Sequence, residues 1–438
     1  MKTTTRQMVA MSASADPSFL PLATSFVHLA ALGMKLGERE AMGLQLATEE
    51  IFAYLGQVSP GQTIDIQCFN GGYYIEAVFR FSSEQFNMRA FNLTASVCLD
   101  DECSLDEMGL LIASRQVDRF QFTEAPGHQV QLTLIKNKAY PPIGAEPVPP
   151  SRPLTTFTIR EPQDEELKLL VQLANRDYPV QVIPRFFKYP GRVVDMVAIG
   201  EVSVLLAVGP DDHLGGGLVW RLMGPKTVEC YGPFLFNQGS ASPLAAALLD
   251  AGLGAIGRTN ALGLFVSRPT AELPKHYFEP LGSLTSFHKD GSATSQTAYF
   301  RLLHEDPGAA VWAHPGLEGF LRQEYQRLFF PREIRLVTHQ GEMTNPFSVL
   351  SADFDRFRGL VTLYPVRSGA DAADNLAQYL RLFRGEAIED IFFLMDLAQP
   401  WQADFTPALL QCGFAPRLIL PYAGEGDVVM FQWGDVTE

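Results

Sequence analysis

One stretch with the residue types to do chemistry is Gln238-Gly239-Ser240-Ala241-Ser242-Pro243, which leads into an apolar helical run ending near Ile256. The first turn of a helix holds backbone N–H groups without helical partners, and the helix dipole adds partial positive charge there. Such a start holds an anion without a cationic side chain. The same residues also read as an ordinary helix start capped by Ser240 or Ser242. Both readings stay open. Glu229 lies on the strand before this loop, where it is either a solvent-facing acid or a base acting through water. Elsewhere, Glu50 and Tyr54 stand four apart on a helix and so share a face. Gly109, in Met108-Gly109-Leu110, opens another helix, as a plain turn or as an approach for an anion. Other chemistries lack their residues. The eight histidines do not cluster, and His304-Glu305 lacks the second histidine of a zinc helix. The five cysteines (Cys68, Cys98, Cys103, Cys230, Cys412) form no C-x-x-C, so no metal site is expected. Neither a G-x-S-x-G elbow nor a phosphate-binding Gly-Lys-Ser/Thr loop occurs.

Composition narrows the setting. The chain has 438 residues, 47% of them hydrophobic, with 34 basic and 49 acidic side chains and a net charge of −15. That balance argues against general nucleic-acid binding, which needs a basic face. It fits anionic ligands only if backbone amides or a few placed cations hold them. Scattered, odd-numbered cysteines fit a reduced interior. The start of the chain lacks a signal-peptide pattern. The most apolar run, Met196 to Val208, is too short to span a bilayer. A soluble, cytoplasmic protein that does not enter a membrane is expected.

Pro141–Pro153 sets the main boundary. Six of its thirteen residues are proline, so it reads as a stiff extended linker. Before it, residues 1–140 read as helices and short strands forming an α+β sandwich with a mixed sheet. After it, a faint repeat appears. An apolar strand at Ala261–Arg268 precedes Pro269 and Gly282; another at Asp390–Leu397 precedes Pro400 and Gly413, with the same proline-to-glycine spacing. Each unit reads as strand, loop, short helix, glycine turn and strand. Two related lobes, 154–303 and 304–438, are expected.

Three segments of the N-terminal block, Leu46–Leu55, Met108–Phe120 and Gly127–Lys136, resemble the ATP-binding domain of anti-sigma kinases and histidine kinases (the GHKL fold). The resemblance implies a nucleotide site at Glu50, Asn92 and Gly109. Tyr54, however, stands where the family has a Mg²⁺-holding asparagine, and Asn92-Leu93-Thr94 lacks the adenine-reading acid and glycine. A degenerate domain follows. It has lost phosphoryl transfer, its ATP binding is doubtful, and it keeps a surface for a protein partner such as a sigma factor.

Beyond the linker, Phe157–Asp164, the hairpin Leu205–Leu222 and the run Tyr277–Gly282 resemble GNAT-type N-acetyltransferases. The resemblance implies an acetyl- or acyl-coenzyme A diphosphate on the loop Gln238, Gly239, Ser240, Ala241 and Ser242. It implies Tyr277 as the acid that protonates the leaving thiolate, with Glu229 as base. Ala241 and Pro243 replace the family's small residues, and Pro243 removes one amide donor. In the second lobe Ala408 stands where the first has Tyr277, and Arg367-Ser368-Gly369-Ala370 is the nearest remnant of the loop. The expected fold is therefore α+β, a GHKL-like sandwich followed by tandem GNAT-like lobes. The expected function is N-acyl transfer; the alternative is a non-catalytic regulator that binds a signalling partner and senses nucleotide or acyl-coenzyme A.

Overall fold

The helix Glu38–Val58 shows how the N-terminal block assembles. Ala41, Leu44, Ala47, Ile51 and Leu55 recur at helical spacing and are all buried. The computed structural model describes residues 7–82, 88–93, 108–125, 129–144, 148–239, 242–287, 293–339, 345–355, 358–386, 388 and 390–434. They fall into two compact units, 1–139 with 344–353 and 364–382, and 140–343 with 354–363 and 383–438. The first break coincides with the start of the proline-rich run. Segments 344–353 and 364–382, read from sequence as second-lobe residues, cluster with the N-terminal unit instead.

In the first unit, β1 (Met8–Ser14), β2 (Thr63–Asn70), β3 (Tyr74–Ser82), β4 (Arg119–Ala125) and β5 (Gln129–Asn137) form one sheet in the order β1-β2-β3-β5-β4. Every pairing is antiparallel, so the sheet is not the mixed one expected. Alternating burial along β2 and β5 gives the sheet one apolar face. Helices α1 (Leu20–Gly33), α2 (Glu38–Val58) and α3 (Met108–Gln116) share its core. Asn92 pins the returning chain. Its Nδ2 donates to the Ser348 carbonyl at 2.8 Å, and its Oδ1 accepts from Leu350 N at 2.9 Å and Tyr379 Oη at 3.2 Å.

The second unit is built on a seven-stranded sheet. Its strands are β6 (Thr158–Arg160), β7 (Val202–Val208), β8 (Leu214–Leu222), β9 (Thr227–Leu235), β10 (Gly263–Val266), β11 (Glu279–Phe287) and β12 (Ala293–Leu302), in the order β11-β12-β10-β9-β8-β7-β6. Helices α4 (Asp164–Asp177) and α5 (Pro190–Ala198) follow β6, and α6 (Leu244–Ile256) joins β9 to β10. A Cβ at Gly217 would meet Leu170 of α4 at 2.7 Å, and one at Gly216 would meet Leu244 of α6 at 2.9 Å. Successive strand residues point to opposite faces, so α4 and α6 cover opposite faces. The glycine run at 215–217 thus admits close helix packing within a buried strand. Arg160 grips Glu166 with two bonds of 2.8 and 2.6 Å, and Glu166 closes a capping box with Gln163.

Downstream, β13 (Ala309–Ala313) and β14 (Arg332–Leu336) pair in parallel around α7 (Pro315–Leu328). Strands β15 (Val349–Asp355), β16 (Leu360–Arg367), β17 (Asp390–Asp396), β18 (Phe414–Leu420) and β19 (Val428–Trp433) take the order β15-β16-β17-β19-β18. The series β16-β17-β19-β18, with a parallel pair followed by an antiparallel hairpin, repeats β9-β10-β12-β11. Helix α8 (Ala372–Gly385) follows β16 as α6 follows β9. The two glycines of the repeat differ in role. Gly413, at φ +84°, lies just beyond α9 (Phe405–Gln411), whereas Gly282, at φ +147°, sits inside β11 at a register shift.

Arg332, just past α7, has a fully buried side chain. It bonds Asp306 at 2.8 Å and Asp427 at 2.7 Å, and Tyr422 Oη also donates to Asp306 at 2.5 Å. Arg332→Met would strand two buried carboxylates and is expected to lower stability by about 3–5 kcal/mol in urea unfolding. Adding Asp427→Asn should restore part of that loss; an unchanged midpoint in the single variant would contradict the account.

Candidate functional site

The seven-stranded sheet opens between its parallel neighbours. β10 pairs with β9 only over Gly263–Phe265 with Thr227–Glu229, while β9 runs on to Leu235. The register against β8 shifts between Gly217 and Val219, opposite Phe234 and Tyr231. Side chains bridge the gap: Ser267 Oγ donates to Glu229 at 2.9 Å, and Thr270 Oγ1 donates to the Pro233 carbonyl at 3.0 Å. Past these bridges lies a cavity of about 720 Å³, lined in part by Arg176, Tyr178, Leu235, Asn237, Thr270 and Glu272. Tyr178 holds its wall, since its hydroxyl accepts from Leu235 N at 2.6 Å and donates to Leu235 O at 3.1 Å. Open α/β sheets take ligands at the carboxyl ends of their parallel strands, and this cavity is at that end.

Asn237, which lines the cavity, leads into the loop expected to hold a diphosphate. Ser240 and Ala241 lie outside the described residues. Gln238 is turned to the linker: its Oε1 accepts from Leu154 N at 3.1 Å, and its Nε2 donates to the carbonyls of Phe236 at 2.8 Å and Arg152 at 3.3 Å. Asn237 donates to the Ser151 carbonyl at 2.8 Å. Ser242 N bonds the Gly239 carbonyl at 2.9 Å, and Ser242 Oγ accepts from Leu244 N at 3.3 Å. Gly239 has open space where a side chain would stand. Two amides near the helix start are therefore occupied. Ala245 and Ala246 follow in the first turn of α6, where backbone N–H groups have no helical acceptor.

Glu229 is buried, unlike an ordinary strand acid. Arg221 bonds it at 3.1 and 3.3 Å, and Tyr231 Oη and Ser267 Oγ donate to it. Burial pushes its carboxyl upward, but Arg221 and the two hydroxyls outweigh that push and hold it below the usual carboxylate range. It is thus ionised and surrounded by partners. Tyr277 sits on a one-turn 3-10 helix, Lys275–Tyr277, half-buried against the α6-side core. A hydrogen bond to Asp250 holds its phenol above the ordinary value. Val228 and Cys230 join that same core, so Glu229, between them, points to the opposite face. The structure does not bring Glu229 and Tyr277 together.

The N-terminal candidates behave differently. A Cβ at Gly109 would lie 2.7 Å from Glu50 Oε2, so the two residues do meet. A carboxylate over that turn repels a phosphate. Asn92 is committed to the Ser348–Leu350 backbone, and Tyr54 is buried. Among the described residues no group of three His, Cys, Asp or Glu side chains gathers as for a metal, and no helix is long and apolar enough to cross a membrane.

Sequence reasoning missed Arg221, Ser267, Thr270 and Tyr178. Arg221 was the findable one. It stands directly opposite Glu229 in the β8–β9 ladder, so counting back through that hairpin pairs them.

No family model matches the chain, and no curated protein matches it. Its solved neighbours, over about a third of the chain, are GNAT acetyltransferases. A phosphinothricin acetyltransferase of the GNAT superfamily from Sinorhizobium meliloti, in complex with AcCoA, is 14% identical over 34% of this chain and 90% of that chain, with a TM-score of 0.29. Aminoglycoside 6'-acetyltransferase type Ii is 14% identical over 34% of this chain and 99% of that chain, with a TM-score of 0.27. An acetyltransferase of the GNAT family from Staphylococcus aureus Mu50 is 12% identical over 34% and 100%, with a TM-score of 0.26. These matches lend no support to an anti-sigma-type ATPase.

Because Glu229 titrates lower folded than unfolded, it stabilises the fold above the unfolded carboxyl value, about 4.3. That contribution is lost as pH falls through its folded value. Glu229→Gln should therefore melt lower than wild type at pH 7 and close part of that gap at pH 3. A constant gap across the range would refute the assignment.

Proposed function

We propose that residues 154–303 form an acyl-coenzyme A-dependent N-acyltransferase. The observation that carries this reading is the parting of β9 and β10 beside a helix start. A thioester ligand needs a slot for its extended arm and unpaired main-chain N–H groups for its diphosphate, and the first turn of α6 supplies such groups at the mouth of the gap. The acceptor amine attacks the thioester carbonyl and loses a proton to water; the C–S bond breaks and the thiolate takes a proton. Tyr277, kept protonated by Asp250, is the donor we assign to that last step. Glu229 is a positioning residue, because its carboxylate is already ionised and enclosed by donors.

A second reading is a binding module, with the N-terminal unit gripping a protein partner. It is favoured by the linker bonds on Asn237 and Gln238, which occupy the loop's side chains. Calorimetric titration of the full chain with acetyl-coenzyme A and, separately, Mg-ATP decides between them. Heat with the first alone supports transfer, and silence from both supports the module.

Given turnover with a model amine, Tyr277→Phe should lower kcat by about 10²–10⁴-fold and leave acetyl-coenzyme A affinity unchanged. Unaltered kcat would remove Tyr277 from the acid role.

A further inference from the structure

The loop joining α4 to α5, with Phe354, Asp355 and Arg358, lines a second cavity, of about 440 Å³. Arg185, Lys188, Arg192 and Arg358 line it, against one carboxylate, Asp355. In a chain of net charge −15 this is a marked local reversal. Arg358 is its fixed point. The side chain is mostly buried, with Nη1 on Asp355 Oδ2 at 3.0 Å and Nε on the Val180 carbonyl at 3.1 Å. Burial, with Arg268 and Arg185 nearby, pulls its guanidinium down to about 10. Like charges crowded where water is scarce repel one another, and an anion relieves that repulsion. Arginine forks match carboxylate and phosphate oxygens two at a time. Ile143, Ile183 and Tyr189 give the cavity an apolar wall, and its size is that of a small-molecule site.

We propose that this cavity binds a small organic anion through a carboxylate or phosphate group. It goes beyond the acyl-transfer reading and does not depend on it. The probes are inorganic phosphate and succinate, each titrated calorimetrically into the full chain in low-salt buffer; the one that binds identifies the group recognised. Binding of one probe per chain, weakening as salt rises, is expected. Arg185 and Lys188 are exposed, so the double variant Arg185→Gln/Lys188→Gln should keep the fold. It should lose affinity by about tenfold or more, as expected when charge-assisted hydrogen bonds are removed. Arg192→Gln gives a second readout should that variant melt early, and Lys168→Gln, on the outer surface of α4, should bind as wild type. Absence of binding by either probe would overturn the proposal. So would equal affinity in the cavity variants, or an equal loss in Lys168→Gln.

Discussion

Glu229 and Arg221 face each other across the β8–β9 ladder at the point where β9 parts from β10. A carboxylate in that position must either lose its charge or be enclosed by donors, and the surroundings do the second. Arg221 comes from one neighbouring strand, Tyr231 from the same strand, and Ser267 from just past the end of β10. The last contact matters most for the site. It ties the chain leaving β10 to β9 where backbone pairing has stopped, and so fixes the width of the gap. Thr270 adds a second tie further along. The cavity beyond owes its shape to these side-chain bridges more than to the ladder itself.

Much of the architecture was legible in the chain. The proline run begins where the first stretch of the N-terminal unit ends, and the topology around β9 and β10 recurs around β16 and β17, although Gly282 and Gly413, whose spacing suggested a repeat, differ in role. Helical spacing from Ala41 to Leu55 and alternating burial along Gln129–Asn137 belong to α2 and β5. What sequence could not show was which partner each residue would meet. Glu229 looked exposed because a lone acid on a strand usually is; only the register of β8 against β9 reveals Arg221. Arg332 gave no sign of burial in sequence, because its partners, Asp306 and Asp427, are distant along the chain. Gly216 and Gly217 admit Leu244 and Leu170 from helices on opposite faces, a need that three glycines in a row do not announce.

The electrostatics follow one rule. The chain is acidic overall, and its arginines are held by carboxylates at different ranges: Arg221 by Glu229 of the neighbouring strand, Arg332 by the sequence-distant Asp306 and Asp427, Arg358 by Asp355 three residues away. In the first two clusters, acids and hydroxyls surround the guanidinium. Around Arg358 the neighbours include further arginines, and among the described residues Asp355 is the carboxylate that lines the cavity with them. That imbalance separates a structural ion pair from a place with room for a ligand's charge.

The strand–turn–helix unit after β9 recurs after β16, and the two copies fill their turns differently. After β16 the turn Arg367-Ser368-Gly369-Ala370 occupies the position of the Gln238 loop after β9. A Cβ at Gly369 would lie 2.2 Å from the Phe347 backbone, so glycine there serves a close approach of the chain to itself. Ala370 N donates to the Asn345 carbonyl at 2.8 Å, and Asp371 accepts from Ser348 N at 2.5 Å. Backbone and a carboxylate thus fill the space an anion would need. After β9 the linker engages the side chains of Asn237 and Gln238, while the amides of Ala245 and Ala246 still open the first turn of α6. The same strand–turn–helix unit therefore closes on its own turn after β16 and, through Asn237 and Gln238, on the linker backbone after β9.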